Sequence, residues 1–348
     1  MTRSRFRSFP AALAALALAV TAAAAAQPAL AVRPQVVTRA DAAAGWLARQ
    51  MTDGNHFVTT LDGTSYPNQG MTIDAIFAFA ATGSAQEYGT RATAWLSRRH
   101  ILANYIGKGT TSYAGATAKV ALAAEIRGLN PASFGGVNLI ARLGKLYTPS
   151  GRYSDHSTYG DFSNAFSQSL AILALTRNGG APARAVTFLV HSECANGGFP
   201  LDFAQKACVS DSDATAMDVQ ALLAAGSRGP AMRGLRWLAR TQAADGGFVG
   251  EGDGTAPNAD STGLAGEAFA AAGWTRQAAL ARRFLLGLQV GCSAPAGQRG
   301  AIDYHKGHFA IATDVEATAQ GELGIADIGL SSLTSRGAVS DDPRLVCS

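Results

Sequence analysis

Arg233-Gly234-Leu235-Arg236-Trp237-Leu238-Ala239-Arg240-Thr241-Gln242, continuing through Ala243-Ala244-Asp245-Gly246-Gly247-Phe248, is the stretch from which the architecture can be read. Up to Gln242 apolar residues fall at helical spacing with Arg on the other side, the pattern of a helix with one wet face. Two glycines then permit a tight turn, and an aromatic residue closes it. Working outward, the aromatic-Leu pair recurs at Trp46-Leu47, Trp95-Leu96, Phe188-Leu189 and Phe284-Leu285. Leu143, inside Gly136 to Leu146, stands in the one double-length step. A period of this size marks a repeat architecture, here six repeats of roughly 48 residues.

Each Arg-bearing segment is followed by a Gly-rich loop and a second segment made almost wholly of Ala, Leu, Ile and Phe, such as Ile73 to Ala81, Ser169 to Leu175 and Ala216 to Ala225. Helices that are apolar all round are buried ones. An open solenoid of such pairs needs polar end caps. The first repeat (Ala42 to Gly83) and the last (Leu280 to Gly329) are as apolar as the middle ones. The expected fold is therefore all-α, an α6/α6 toroid of six helix pairs forming one domain over residues 32–348.

The chain opens with Arg3, Arg5 and Arg7, an Ala/Leu-rich run from Ala11 to Ala26 and Ala29-Leu30-Ala31, the order of a secretory signal. Residues 1–31 are expected to be removed on export. The run is short for a membrane anchor, and Val32 stands where a lipoprotein needs Cys. Without those three Arg the formal charge of +4 falls to +1. No basic stripe remains, which excludes a nucleic-acid footprint, and no second long apolar segment follows. The expectation is a secreted monomer with no membrane span. All four Cys lie after the signal, in the setting where disulfides persist. Local pairing joins Cys194 to Cys208 and Cys292 to Cys347, one of three connectivities. Zinc ligation is the alternative, although no two Cys have the usual close spacing.

The passage from Arg233 to Phe248 resembles the QW motif of squalene and oxidosqualene cyclases, with Phe for the final Trp. Arg184-Ala185-x-x-Phe188-Leu189 with Glu193 and Gly197-Gly198-Phe199 is a worn copy, and Arg91-Ala92-x-x-Trp95-Leu96 begins a third. The chain thus resembles the prenyltransferase and squalene-cyclase repeat superfamily over essentially all of residues 32–348. In Tyr159-Gly160-Asp161-Phe162-Ser163-Asn164 and the Cys194 to Cys208 loop it is similar to exported actinobacterial repeat proteins. The resemblance implies an α/α toroid and is nearly silent on chemistry.

Aligning the inner segments superposes Asp213-Ala214-Thr215-Ala216, Asp260-Ser261-Thr262 and Glu316-Ala317-Thr318-Ala319, with Asn164, Gly115 and Gly70 in the acidic place elsewhere. Two residues earlier stand Asp211, Asn258, Asp314, Phe162, Tyr113 and Asn68. All inner helices of a toroid run the same way, so these groups ring one mouth. Acids and hydroxyls there serve as helix caps or as a site. Asp211-Ser212-Asp213-Ala214-Thr215-Ala216 resembles the Asp-x-Asp-Asp-Thr-Ala stretch of class II terpene cyclases. Asp213 falls at the protonating position and Asp211 beside it, but Ala214 replaces the motif's last Asp. The inner helices supply Phe77, Phe79, Phe166 and Phe269 but no Trp or Tyr, a thin lining for a carbocation.

Two loops are longer or more polar than the repeat requires. Gly151 to Asp161 carries Tyr159 and Asp161, and Gly300 to Thr313 carries Tyr304, His305 and His308. Together with Asn164, Asp260, Asp314 and Glu316 they form the candidate binding set, open to a small molecule or a protein. Tyr304-His305-Lys306-Gly307-His308 is a weak zinc signal, and neither metal nor cofactor is expected. Three functional readings follow: a non-catalytic ligand- or partner-binding toroid, a terpene-cyclase-like enzyme with Asp213 as general acid, or a secreted polysaccharide lyase or hydrolase. The degenerate catalytic positions favour the first. Polar residues on the inner helices, among them Asp74, Lys119, Gln168, Asp218, Gln220, Glu267, Gln320 and Glu322, either wet the central hole or lie paired between the helix rings.

Overall fold

A computed structural model describes residues 37–203, 205–250, 254–335, 339 and 341–347. In chain order come α1 (Arg39–Arg49), the hairpin strands β1 (Phe57–Leu61) and β2 (Thr64–Asn68), α2 (Gln69–Thr82), α3 (Gln86–Leu96), α4 (Arg99–Ile106) and α5 (Ala114–Ile126). They continue as α6 (Leu139–Leu146), α7 (Ala165–Arg177), α8 (Ala183–His191), α9 (Ser212–Ala224), α10 (Arg228–Thr241), α11 (Ala259–Ala272), α12 (Thr275–Leu288) and α13 (Ile311–Ala326), and a 3-10 turn at Leu330–Ser332.

The inner helices α2, α5, α7, α9, α11 and α13 pack each against the next, and α13 packs against α2. The ring is closed, as the apolar end repeats require. Outer helices sit over its seams: α8 touches α7 and α9, α10 touches α9 and α11, α12 touches α11 and α13, and α1 touches α13 and α2. The inner helices are buried along most of their length, and each fully buried Leu, Ile or Phe contributes roughly 1.5–3 kcal/mol. The tightest inner seam is made by glycine. A Cβ on Gly263 would lie 2.4 Å from the Gln320 carbonyl oxygen, and one on Gly324 would lie 3.1 Å from the Gly263 Cα.

In the last three repeats the motif fastens one repeat to the next. The Gln242 amide donates to the Gly246 carbonyl (3.0 Å) and to the Gln277 carbonyl (3.2 Å) of the following outer helix. Gly247 lies flat beneath Phe284, where a Cβ would come within 2.8 Å of the ring. Glu193, standing in the Gln place, grips Arg233 of the next outer helix at 2.5 and 2.6 Å. Gln289, five residues after Phe284, does the same across the closure and donates to the Arg39 (2.8 Å) and Gly300 (3.0 Å) carbonyls.

The structure departs from the sequence expectation in four places. The first loop is a β-hairpin turned by Asp62 and Gly63, both with positive φ, as a two-residue primed turn demands. The second repeat has two outer helices, α3 and α4, instead of one helix and a Gly-rich loop, which is why its motif loses the Gln. Asn164 occupies the N-cap place that Asp211 holds in its own repeat, two positions from the expected alignment. Finally, the chain beyond α13 crosses the end of the ring away from the loops. Leu330 and Leu333 are buried there, and Arg177 holds the Ser331 and Leu333 carbonyls at 2.7 and 2.9 Å. The tail then follows α1 to Cys347, which pairs with Cys292, while Cys194 pairs with Cys208. The expected signal lies outside the described residues, and those from Val37 on form one compact unit.

Candidate binding site at the toroid mouth

The outer-to-inner loops all reach one end of the ring, and each leans on the inner helix of the repeat before it. Asp155 accepts the Ala114 N–H (2.7 Å), Leu201 the Ala165 N–H (3.0 Å) and Tyr304 the Ala259 N–H (3.1 Å), while Ser212 donates to Val249 (2.8 Å). Beneath this rim a second recurrent contact clasps loop to helix. The Thr215 hydroxyl accepts the Phe199 N–H (2.8 Å), Thr262 that of Phe248 (2.9 Å), Thr318 that of Ile302 (2.9 Å) and Thr72 that of Phe57 (3.0 Å). In the third repeat Gln168 takes this place and accepts the Tyr153 N–H at 2.9 Å. The Thr of the repeated acid-x-Thr pattern is thus a structural clasp, and Thr72 and Gln168 make the same bond where no acid precedes them.

Asp211 is buried and accepts the Ala214 N–H at 2.7 Å as the N-cap of α9. Asp213 is half-buried at the second position of α9, where its carboxylate accepts the Ser212 hydroxyl (3.1 Å) and the Ser261 hydroxyl (3.2 Å) of the next inner helix. Asn164 caps α7 through Ser167. Asp161 braces its own loop, accepting the Asp155 and Ser163 N–H groups at 2.9 and 3.0 Å and pairing with Arg152 at 3.2 Å. Asp314 is buried and accepts the Tyr304 and Ala310 N–H groups. Asp260 is half-buried at the second position of α11. Tyr304 and His305 stack edge to face on each other at 4.4 Å, with His305 Nδ1 3.1 Å from the Pro257 carbonyl. Among the described residues no cluster of His, Cys, Asp and Glu can hold a metal ion.

The hole of the ring is a cavity of 80 Å³. An ion pair between Lys119 and Asp74, at 2.7 Å, stands in it beside Glu267 and Gln320, with Phe77 and Phe166 opposite, and Leu330 closes its far end. Burial raises the Asp74 carboxyl, and Lys119 opposes that rise. The Lys119 ammonium is lowered by burial, but Asp74 outweighs it and the net direction is upward. Glu316, one turn before Gln320 and accepting its amide at 3.3 Å, has its carboxyl raised by partial desolvation and by Asp74, against the pull of Lys119. Of the other inner-helix polar residues, Gln168 lies between the rings and Asp218 bonds the Ser169 hydroxyl. Gln220 bonds Glu267 and the Leu330 N–H, tying the floor to the wall.

Around this small opening the rim is both acidic and apolar. Leu61 and Tyr66 on the hairpin, Tyr159, Phe162, Val209 and Ile311 are all exposed, Tyr159 and Phe162 to 79% and 68%. Sequence reasoning singled out Tyr159 but missed the hairpin, whose signal was Asp62-Gly63 between β-branched residues. Most arginines lie on the outer helices, among them Arg91, Arg142, Arg233, Arg240 and Arg282, while Arg152 and Lys306 stand in the mouth loops.

No protein-family model and no curated protein matches the sequence. Solved structures do match in fold. A protein from Actinoplanes superposes with a TM-score of 0.60 at 16% identity, covering 83% of this chain and 98% of that one. The type II terpene cyclase MstE from Scytonema, as a variant in complex with geranylgeranyl dihydroxybenzoate, gives 0.64 at 14% identity, covering 83% and 96%. An α-amylase from Clostridium perfringens gives 0.62 at 10% identity, covering 85% and 99%. The chain has the helical fold seen in the terpene cyclase MstE. At such identities only the fold is shared, and one fold hosts unrelated chemistries.

Proposed function

We propose that this chain is an exported, non-catalytic toroid whose mouth docks a polypeptide partner carrying basic and apolar side chains. The observation that carries the reading is the rim itself, where large exposed apolar residues from separate loops surround acidic groups. Patches of that kind, ringed by polar residues, mark interaction surfaces. Charge complementarity gives the partner its basic character, since Asp213, Asp260 and Glu316 stand at the mouth while most arginines lie on the outer helices.

The cyclase reading has less support. A cavity of 80 Å³ falls well below the ~300–1,000 Å³ of organic-ligand sites. Asp213 is not among the residues lining it, and Asp211 is engaged as a cap. The two disulfides favour an oxidising compartment and hence export.

The test is photo-crosslinking of the secreted chain in its own culture medium, with benzoyl-phenylalanine at position 162 or, as control, at Leu129 on the opposite end. A defined polypeptide caught at 162 and not at 129, and no longer caught when Tyr159→Asp is added, is expected. A cyclic product from squalene or geranylgeranyl diphosphate that Asp213→Asn abolishes would overturn the reading, as would a native mass carrying only a tightly held small molecule.

A further inference from the structure

Eight times the volume of the central cavity is found on the outer wall. A groove of 640 Å³ runs between α8 and the loop closed by Cys194 and Cys208. In other repeats the aromatic of the outer helix is covered by a glycine of the preceding loop, as Trp237 is by Gly198 and Phe284 by Gly247. Phe188 lacks that cover, because Arg152 stands in the glycine's place and Gly151 reaches only the Phe188 Cβ; its ring instead faces Phe203 of the disulfide loop, the rings 4.9 Å apart and at 81°. The pair makes an apolar corner. Thr187, Asp202, Gln205 and Arg184, which line the same groove, offer hydrogen-bond donors and acceptors.

The charges on this groove balance. Arg152, whose guanidinium lies 5.3 Å from the Phe203 ring centre, is paired with Asp161 at 3.2 Å, and Arg184 shares the groove with Asp202. A purely hydrocarbon ligand would strip water from those groups without replacing it, and an anion would meet a carboxylate. The chemistry that fits is amphipathic and neutral, with an apolar face and a rim of hydroxyls. We propose that the groove binds a short neutral oligosaccharide, its pyranose C–H faces set against Phe188 and Phe203 and its hydroxyls on the polar rim. The volume lies within the ~300–1,000 Å³ of organic-ligand sites. Asp202 is the one carboxylate among its lining residues, so the facing pair that glycoside hydrolysis requires is not supplied. The groove binds and does not cleave, and it stands independently of the mouth.

Isothermal titration of the disulfide-intact chain with maltohexaose, cellohexaose, xylohexaose and chitohexaose tests this. One of the four is expected to bind with Kd on the order of 10 μM to 1 mM. Phe203→Ala should weaken it tenfold or more, Phe203→Tyr should restore it, and exposed Asp202→Ala should weaken it severalfold. Leu129→Ser, on the far end, should leave it unchanged. Unaltered melting temperatures of the variants show that the fold is kept. Silence from all four sugars at millimolar concentration overturns the proposal, as does binding that survives both Phe203→Ala and Asp202→Ala, and shortened sugar in the cell overturns the binding-only assignment.

Discussion

Thr215→Val separates a structural motif from a catalytic one, because it keeps the shape of the side chain and removes only its hydroxyl. That hydroxyl is fully buried, accepts the Phe199 N–H at 2.8 Å and donates to the Asp211 carbonyl at 2.6 Å. The Asp211 carbonyl keeps its helical partner, the Thr215 N–H at 3.0 Å. The variant therefore leaves one buried donor, the Phe199 N–H, without an acceptor, which costs about 1–3 kcal/mol. A unit of roughly 310 residues unfolds with an entropy of about 0.65 kcal/mol/K, so Tm should fall by about 1.5–4.5 °C. Circular dichroism at 222 nm, with disulfides intact, measures it. Thr262→Val in the next repeat should cost the same, and the double variant should lose the sum, since each clasp holds its own loop. A Thr215→Val protein within about 0.5 kcal/mol of the parent would refute the clasp, and Thr262→Val behaving differently would refute its repetition.

Burial raises the Glu125 carboxyl to about 7, against the pull of Asn178 and of Arg177 at 3.9 Å. Its folded pKa exceeds the unfolded value, so the folded state holds the extra proton and stability declines as pH rises from about 4.5 to 7, by up to roughly 3 kcal/mol. Urea titrations across that window should show the decline, flattened by Glu125→Gln. Lys119→Met leaves Asp74 buried without its cation. That loss is about 3–5 kcal/mol for a fully buried pair, here reduced to roughly 2–4 by side-chain exposures of 19% and 18%, and adding Asp74→Asn should recover most of it in the same titration. Gly45→Ala places a Cβ 1.8 Å from the Pro343 carbonyl oxygen, so the tail must lift. Trypsin should then cut at Arg344 at least tenfold faster while α1 stays protected from hydrogen exchange.

Much of this molecule was legible before any coordinates, because repeats and periodicity are local properties. The spacing of Trp46, Trp95, Phe188, Trp237 and Phe284 marked five of the outer helices but not the extra one, α4, in the second repeat, the Ala-rich runs marked the inner ones, and the apolar end repeats required α13 to find α2. What sequence could not say is which polar residue faces which neighbour. Asp211 and Asp213 sit two apart in a stretch that resembles an acid catalyst, yet one is a buried cap and the other reaches across to Ser261. Gln168 replaces a clasping Thr with no local sign of it. Leu330, far along the chain, closes a hole built by six helices, and Phe203 meets Phe188 because a disulfide folds its loop back. Helical period and glycine placement act within a few residues and so survive in a linear reading. Plugs, clasps and grooves arise from side chains that converge only after the ring has closed, and the tertiary structure alone decides them.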